Sequence, residues 1–98
     1  MGKRVLLPLA NGFEEIEAVA LADTMRRGGL DVVIAGVDGE VLKGANGIMV
    51  VSDTDIKNVC SADFDMIVLP GGYGGTMTLA ENETVQRLIK EFDGARKT

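Results

Sequence analysis

The sequence predicts an α/β fold, a mostly parallel sheet with helices covering both of its faces. Two observations carry that prediction. Three short runs, RVLLPL at 4–9, LDVVIAGV at 30–37 and DMIVLP at 65–70, have the near-unbroken apolar character of strands buried on two sides. Helical patterns follow the first run and close the chain, so strand and helix alternate as in a parallel layered structure.

Each element has a local reason. In the first run Pro8 places the strand's end nearby, because proline donates nothing to a ladder. ANGF at 10–13 is a turn. EEIEAVALADTMRRGG then combines helix formers with acids in the first turn, arginines in the last and Gly28–Gly29 as a stop, matching the helix dipole. The second run is the next strand. Residues 38–53 read as an antiparallel hairpin, with turn signals Asp38–Gly39 and Asn46–Gly47 around β-branched residues. TDIKNVCSADF is a linker with room for one helical turn, and the third run is a core strand. The last helix is written in Val85, Leu88, Ile89 and Phe92 at i, i+3, i+4 and i+7.

Composition bounds the function. A chain of 98 residues is at most one small domain, and 46% apolar with 26% charged residues reads as globular. A net charge of -5 without a basic stripe argues against nucleic acid and anionic membrane as partners. No apolar run approaches the ~20 residues of a membrane span, and no secretory signal precedes the first strand. One cysteine makes no internal disulfide, so a cytoplasmic location is expected. Histidine is absent, and no metal site or cofactor motif is readable.

Three features are candidates for chemistry. PGGYGGT, from Pro70 to Thr76, puts four glycines into five positions at the carboxyl end of a strand, where open α/β sheets bind ligands. It is neither a Walker loop, having no nearby lysine, nor a G-x-G-x-x-G fingerprint. It is either a tight turn needing positive φ or a cradle of backbone N–H groups for an anion or oxyanion. Glu17 lies one turn into the first helix at the same sheet end. It reads as a half-buried carboxyl beside a cleft or as a solvated first-turn acid, and Glu14 and Glu15 read as the latter. Cys60 sits in a polar linker with no base or helix start beside it, and is expected to be inert.

The first helix has two apolar stripes. Ala18, Leu21, Ala22 and Met25 lie on one side; Ile16, Val19 and Ala20 lie nearly opposite. The second stripe fits a helix wedged inside the domain or a subunit interface.

ANGFEEIEAV, DTMRRGGLDVVIAG and DMIVLPGGYGGT together resemble the ThiJ/PfpI superfamily, nearest to its Parkinson-disease protein deglycase branch and the thiazole monophosphate biosynthesis-like proteins. The resemblance runs along all 98 residues and covers about the first half of a typical member. It implies a flavodoxin-like three-layer sandwich, of which residues 1–98 are the N-terminal half. It implies that Glu17 is a protonated acid hydrogen-bonded to a nucleophilic cysteine, and that Gly72, with Gly71 before it, supplies an oxyanion-hole N–H. Tyr73 and Arg27 are assigned with Gly71 to binding, and the first helix, through Ile16 and Val19, to a homodimer contact. The family's cysteine lies beyond the last helix, and Thr98 comes before it, so a companion C-terminal chain or fragment is the expected partner.

The activity so implied is cysteine-dependent attack on a small carbonyl or glycated substrate, of the deglycase, glyoxalase or amidase kind, and it requires the missing half. Two readings stand beside it: a non-catalytic redox sensor or chaperone using the same residues, and a flavodoxin-like small-ligand binding domain.

Overall fold

The computed structural model describes residues 3–70 and 82–94. Its centre is a four-stranded sheet in the order β5-β2-β1-β6, formed by β1 (Arg4–Leu9), β2 (Asp31–Gly36), β5 (Thr54–Asp55) and β6 (Met66–Ile67). All of these pairings are parallel. Between β2 and β5 the chain forms a separate antiparallel hairpin, β3 (Val41–Lys43) with β4 (Met49–Val51). Two helices, α1 (Glu15–Arg27) and α2 (Glu83–Gly94), complete the structure.

Pro8 shows how the sheet tolerates its sequence. Carbonyls of Arg4 and Leu6 accept from the β6 side, at Asp65 and Val68, while those of Lys3 and Leu9 accept from the β2 side, at Asp31 and Val37. Even-numbered residues of β1 therefore face β6, and Pro8 faces β6 just beyond the last paired residues, Leu6 and Ile67. Its missing N–H costs no ladder bond, and the strand ends one residue later, as expected.

The alternation of β1 divides the core. Val5 and Leu7 face α1, where they pack with Ala22 and Val32; Leu6 faces the other side, with Ile56, Phe64, Val85 and Leu88. The sheet is thus sandwiched between α1 and α2. The α2 stripe is confirmed at Val85 and Leu88, both fully buried, while the side chain of Phe92 lies outside the described residues. Asn82 caps this helix, its Oδ1 accepting from the Val85 N–H at 3.0 Å.

α1 ends in a Schellman motif. Gly29 takes φ +91°, its N–H donates to Arg26 O, and the Leu30 N–H donates to Met25 O, both at 3.1 Å. Met25 and Leu30 pack into the same cluster.

Two segments differ from expectation. The third run, expected as a core strand over 65–70, pairs only at Met66 and Ile67, and both are half-buried because β6 has a strand neighbour on one side alone among the described residues. Residues 54–55, assigned to a linker, form the edge strand β5, paired with Ala35 and Gly36. Asp53 begins that pairing: its N–H donates to Ile34 O at 2.9 Å, and its carboxylate accepts the Ile34 N–H at 2.8 Å. Two 3-10 turns, Ile56–Asn58 and Ser61–Asp63, then carry the chain to β6.

Candidate functional site

Residues 10–14 connect the carboxyl end of β1 to the start of α1, and the hairpin holds them in place. The Gly12 N–H donates to Lys43 O at 2.9 Å, and the Lys43 N–H donates to Asn11 Oδ1 at 2.9 Å. The Asn11 N–H donates to Asp38 Oδ2 at 2.9 Å. Phe13, fully buried, packs with Leu9, Ala18 and Leu42 beneath the loop.

Glu15 departs from its expected role as a solvated first-turn acid. It is only 5% exposed. Its carboxylate turns away from its own helix and accepts three hydrogen bonds from the hairpin turn. These come from the Asn46 N–H at 2.7 Å, Asn46 Nδ2 at 3.0 Å and the Ile48 N–H at 3.2 Å. Gly44 lies so close that a Cβ there would run into the Glu15 carboxyl carbon. Gly47, at φ +87°, makes the turn that presents these donors. Burial pushes the Glu15 carboxyl up, but hydrogen bonds from its own amide, from Ile48 and from Asn46 outweigh that, holding it below the usual carboxylate value. A buried acid with this many donors is a structural clamp.

Glu17 lies two residues on, which at 3.6 residues per turn is about 200° around the helix. It therefore faces away from the hairpin. It lines an open groove of about 380 Å³ with Ala20, Leu21, Thr24 and Met25, all on α1. Of the two readings the sequence allows, half-buried or solvated, Glu17 takes the exposed one, because no described residue packs over this side of α1. The outer stripe is bare as well: Ile16 is 78% and Val19 53% exposed, whereas Ala18 and Ala22 are buried on the sheet. Among the described residues, nothing wedges α1 on this side.

The DJ-1/PfpI family pattern matches residues 3–98. The chain belongs to the DJ-1/PfpI family. Among its DJ-1 relatives it is 40% identical to protein DJ-1 homolog B of Arabidopsis thaliana over 93% of the chain and 21% of that protein. It is 41% identical to the glutathione-independent glyoxalase DJR-1.2 of Caenorhabditis elegans, over 88% of the chain and 45% of the relative. The crystal structure of Drosophila melanogaster DJ-1beta superposes with a TM-score of 0.92 at 38% identity, covering 97% of this chain and 52% of that one. The chain spans about half the length of these relatives or less.

Of the remaining site candidates in this DJ-1/PfpI chain, Arg27 alone falls among the described residues. Gly71, Gly72 and Tyr73 lie outside the described residues. The chain reaches them from Pro70, buried at the carboxyl end of β6, the strand next to β1. Arg27 is at the opposite end. It is exposed, bonded to Asp23 at 3.1 Å, and ten residues of helix, about 15 Å, separate it from Glu17. The structure does not bring the two together.

Arg26 has the larger part at that end. Its Nη2 donates to Val32 O and to Asp53, each at 2.9 Å, joining α1 to β2 and to the entry of β5. Cys60 is exposed in the crossover from β5 to β6. Among the described residues no three His, Cys, Asp or Glu side chains gather as a metal site requires, and no helix is long and apolar enough to cross a membrane.

Nothing local marks Glu15 in the sequence, because an acid in a first turn is ordinary. The signal that could have found it is the pairing of that acid with Gly44 and the Asn46–Gly47 turn. Such a turn offers N–H donors, and its glycine leaves room for an incoming carboxylate.

Proposed function

We propose that this chain is the N-terminal half of a cysteine-dependent enzyme that acts on small carbonyl compounds or their adducts, in the cytoplasm. Glu17 supplies the acid beside the nucleophilic sulfur, the Gly71–Gly72 backbone supplies an N–H for the oxyanion, and the C-terminal half of the domain supplies the cysteine. A thiolate adds to the carbonyl carbon, the carbonyl oxygen gathers negative charge against the Gly72 N–H, and Glu17 handles a proton. The observation that carries this reading is the position of Glu17. It stands at the carboxyl end of a parallel sheet, uncovered, at a groove no other described element fills. The 41% identity to a protein named as a glutathione-independent glyoxalase supports the substrate class.

The bare stripe of Ile16 and Val19 is the proposed homodimer contact, since two exposed branched side chains on one helix face are costly to leave in water.

The test is turnover of methylglyoxal by the assembled protein, both halves of the domain together. Glu17→Gln keeps the shape and removes the carboxyl, and a fall in kcat of about 10²-fold is expected for loss of an acid–base group. Unchanged turnover removes Glu17 from the mechanism. An assembled protein that oxidises at the thiol yet turns over no carbonyl substrate is a sensor instead.

A further inference from the structure

We propose that Glu15 is the positioning residue of this site: by fastening the first turn of α1 to the 44–48 turn of the hairpin, it sets the rotation of the helix and so aims Glu17 into the groove. The proposal rests on the role given to Glu17 above.

Three observations carry it. First, among the described residues the start of α1 has no other directional tie, since Arg26 binds Val32 O and Asp53 only from the last turn. Besides Glu15, the buried residues of α1 are Ala18 and Ala22, and alanines on a sheet form no deep interdigitation that resists rolling. The helix also begins without a side-chain cap on Glu14. Second, the Glu15 clamp is directional. Three donors from two residues converge on one carboxylate, and such charge-assisted bonds fix orientation as well as distance. Third, the clamp's far side is rigid. The Gly44 N–H donates to Ile48 O at 2.8 Å, the Gly47 N–H to Gly44 O at 3.0 Å, and the Ala45 N–H to Phe13 O at 2.8 Å, which ties the turn back to the chain two residues before α1.

Glu15 and Glu17 thus occupy opposite sides of one helical turn, the first held and the second presented. Releasing the first lets the start of α1 shift about its Arg26 anchor, and a carboxyl at the helix surface is displaced in proportion to that shift. A shift of about 1 Å in a reacting group is enough to lower turnover by up to 10²-fold.

The experiment uses the assembled protein with methylglyoxal as substrate. Glu15→Ala removes the acceptor, and Gly44→Ala expels the carboxylate from the other side, leaving Glu15 chemically intact. Each is expected to lower kcat about tenfold or more with KM within about twofold. Glu15→Gln, which keeps an oxygen for the Asn46 and Ile48 amides, is expected to restore most of that loss. Combining Glu15→Ala with Glu17→Gln is expected to cost little beyond Glu17→Gln alone, because a misplaced group and an absent one are lost only once. If Glu15→Ala does not fold, Asn46→Ala decides the question: it keeps both backbone bonds, and a two- to threefold loss of kcat is expected. Wild-type kcat in the folded variants, or losses that multiply with Glu17→Gln, overturn the proposal. Failure of Glu17→Gln to lower kcat would instead sink the functional reading itself, so the two failures are separable.

Discussion

Glu15 and Asn46, 31 residues apart in the chain, are joined by two hydrogen bonds: the Asn46 backbone N–H and its side-chain Nδ2 both donate to the Glu15 carboxylate, at 2.7 and 3.0 Å. This contact, with the Ile48 amide added, makes the start of α1 and the β3–β4 hairpin one mechanical unit.

The clamp predicts an acid-sensitive stability. A carboxyl held below its ordinary value contributes stability that is fully present above that value, about 4.3 for glutamate, and is lost as pH falls through the lower folded value. Glu15→Gln should therefore be less stable than wild type at pH 7, with the gap narrowing below about pH 4. Urea midpoints at pH 7 and pH 3 check this; a gap independent of pH would show that Glu15 gains nothing from its charge.

Arg26 and Asp53 form an ion pair at 2.9 Å with both side chains about half exposed, so their substitutions should not be equivalent. Arg26→Ala loses a surface pair and one bond to Val32 O, and about 1 kcal/mol or less is expected. Asp53→Ala also strips the acceptor from the Ile34 amide and unseats the entry to β5, for a loss of about 1–3 kcal/mol. Denaturant unfolding of the two variants reads the order, and an equal loss would contradict it.

Two glycines predict opposite outcomes. At Gly28, φ is -78° and a Cβ would meet only carbonyl oxygens at ordinary contact, so Gly28→Ala should stabilise by about 0.4–1 kcal/mol through the unfolded chain. At Gly36 a Cβ would overlap the carbonyl oxygen of Gly39, which is backbone and cannot swing aside. Gly36→Ala should destabilise by about 1–3 kcal/mol. Thermal melts of both variants make the comparison.

Ile16→Asp and Val19→Asp test the bare stripe. Both positions are exposed in this chain, so the fold should survive with a change of about 0.5 kcal/mol or less. The proposed dimer should not survive, because a carboxylate would be buried there without a partner. Light scattering reads the mass, and a dimer persisting in both variants rules out this face.

Local pattern was enough for much of the architecture. The apolar runs at 4–9 and 30–37, the periodicity of Val85, Leu88 and Ile89, and the glycine stop after Arg27 all became the expected elements, since each is governed by neighbours a few residues away, whereas the run at 65–70 became only a short edge strand. The motif GFEEIEAV with LPGG was sufficient to indicate the family. Residues 54–55 became a strand only because Gly36 offers an unpaired edge, which a two-residue segment cannot announce.

The difference between Glu15 and Glu17 belongs to tertiary structure alone. In the sequence they are two acids of one helical turn, alike in charge and in their benefit to the dipole. One is buried and the other exposed because the hairpin turn, 31 residues downstream, brings its amide donors to a single side of α1. Desolvating a carboxylate is favourable only where such donors replace water, and their meeting place is set by packing rather than by order along the chain.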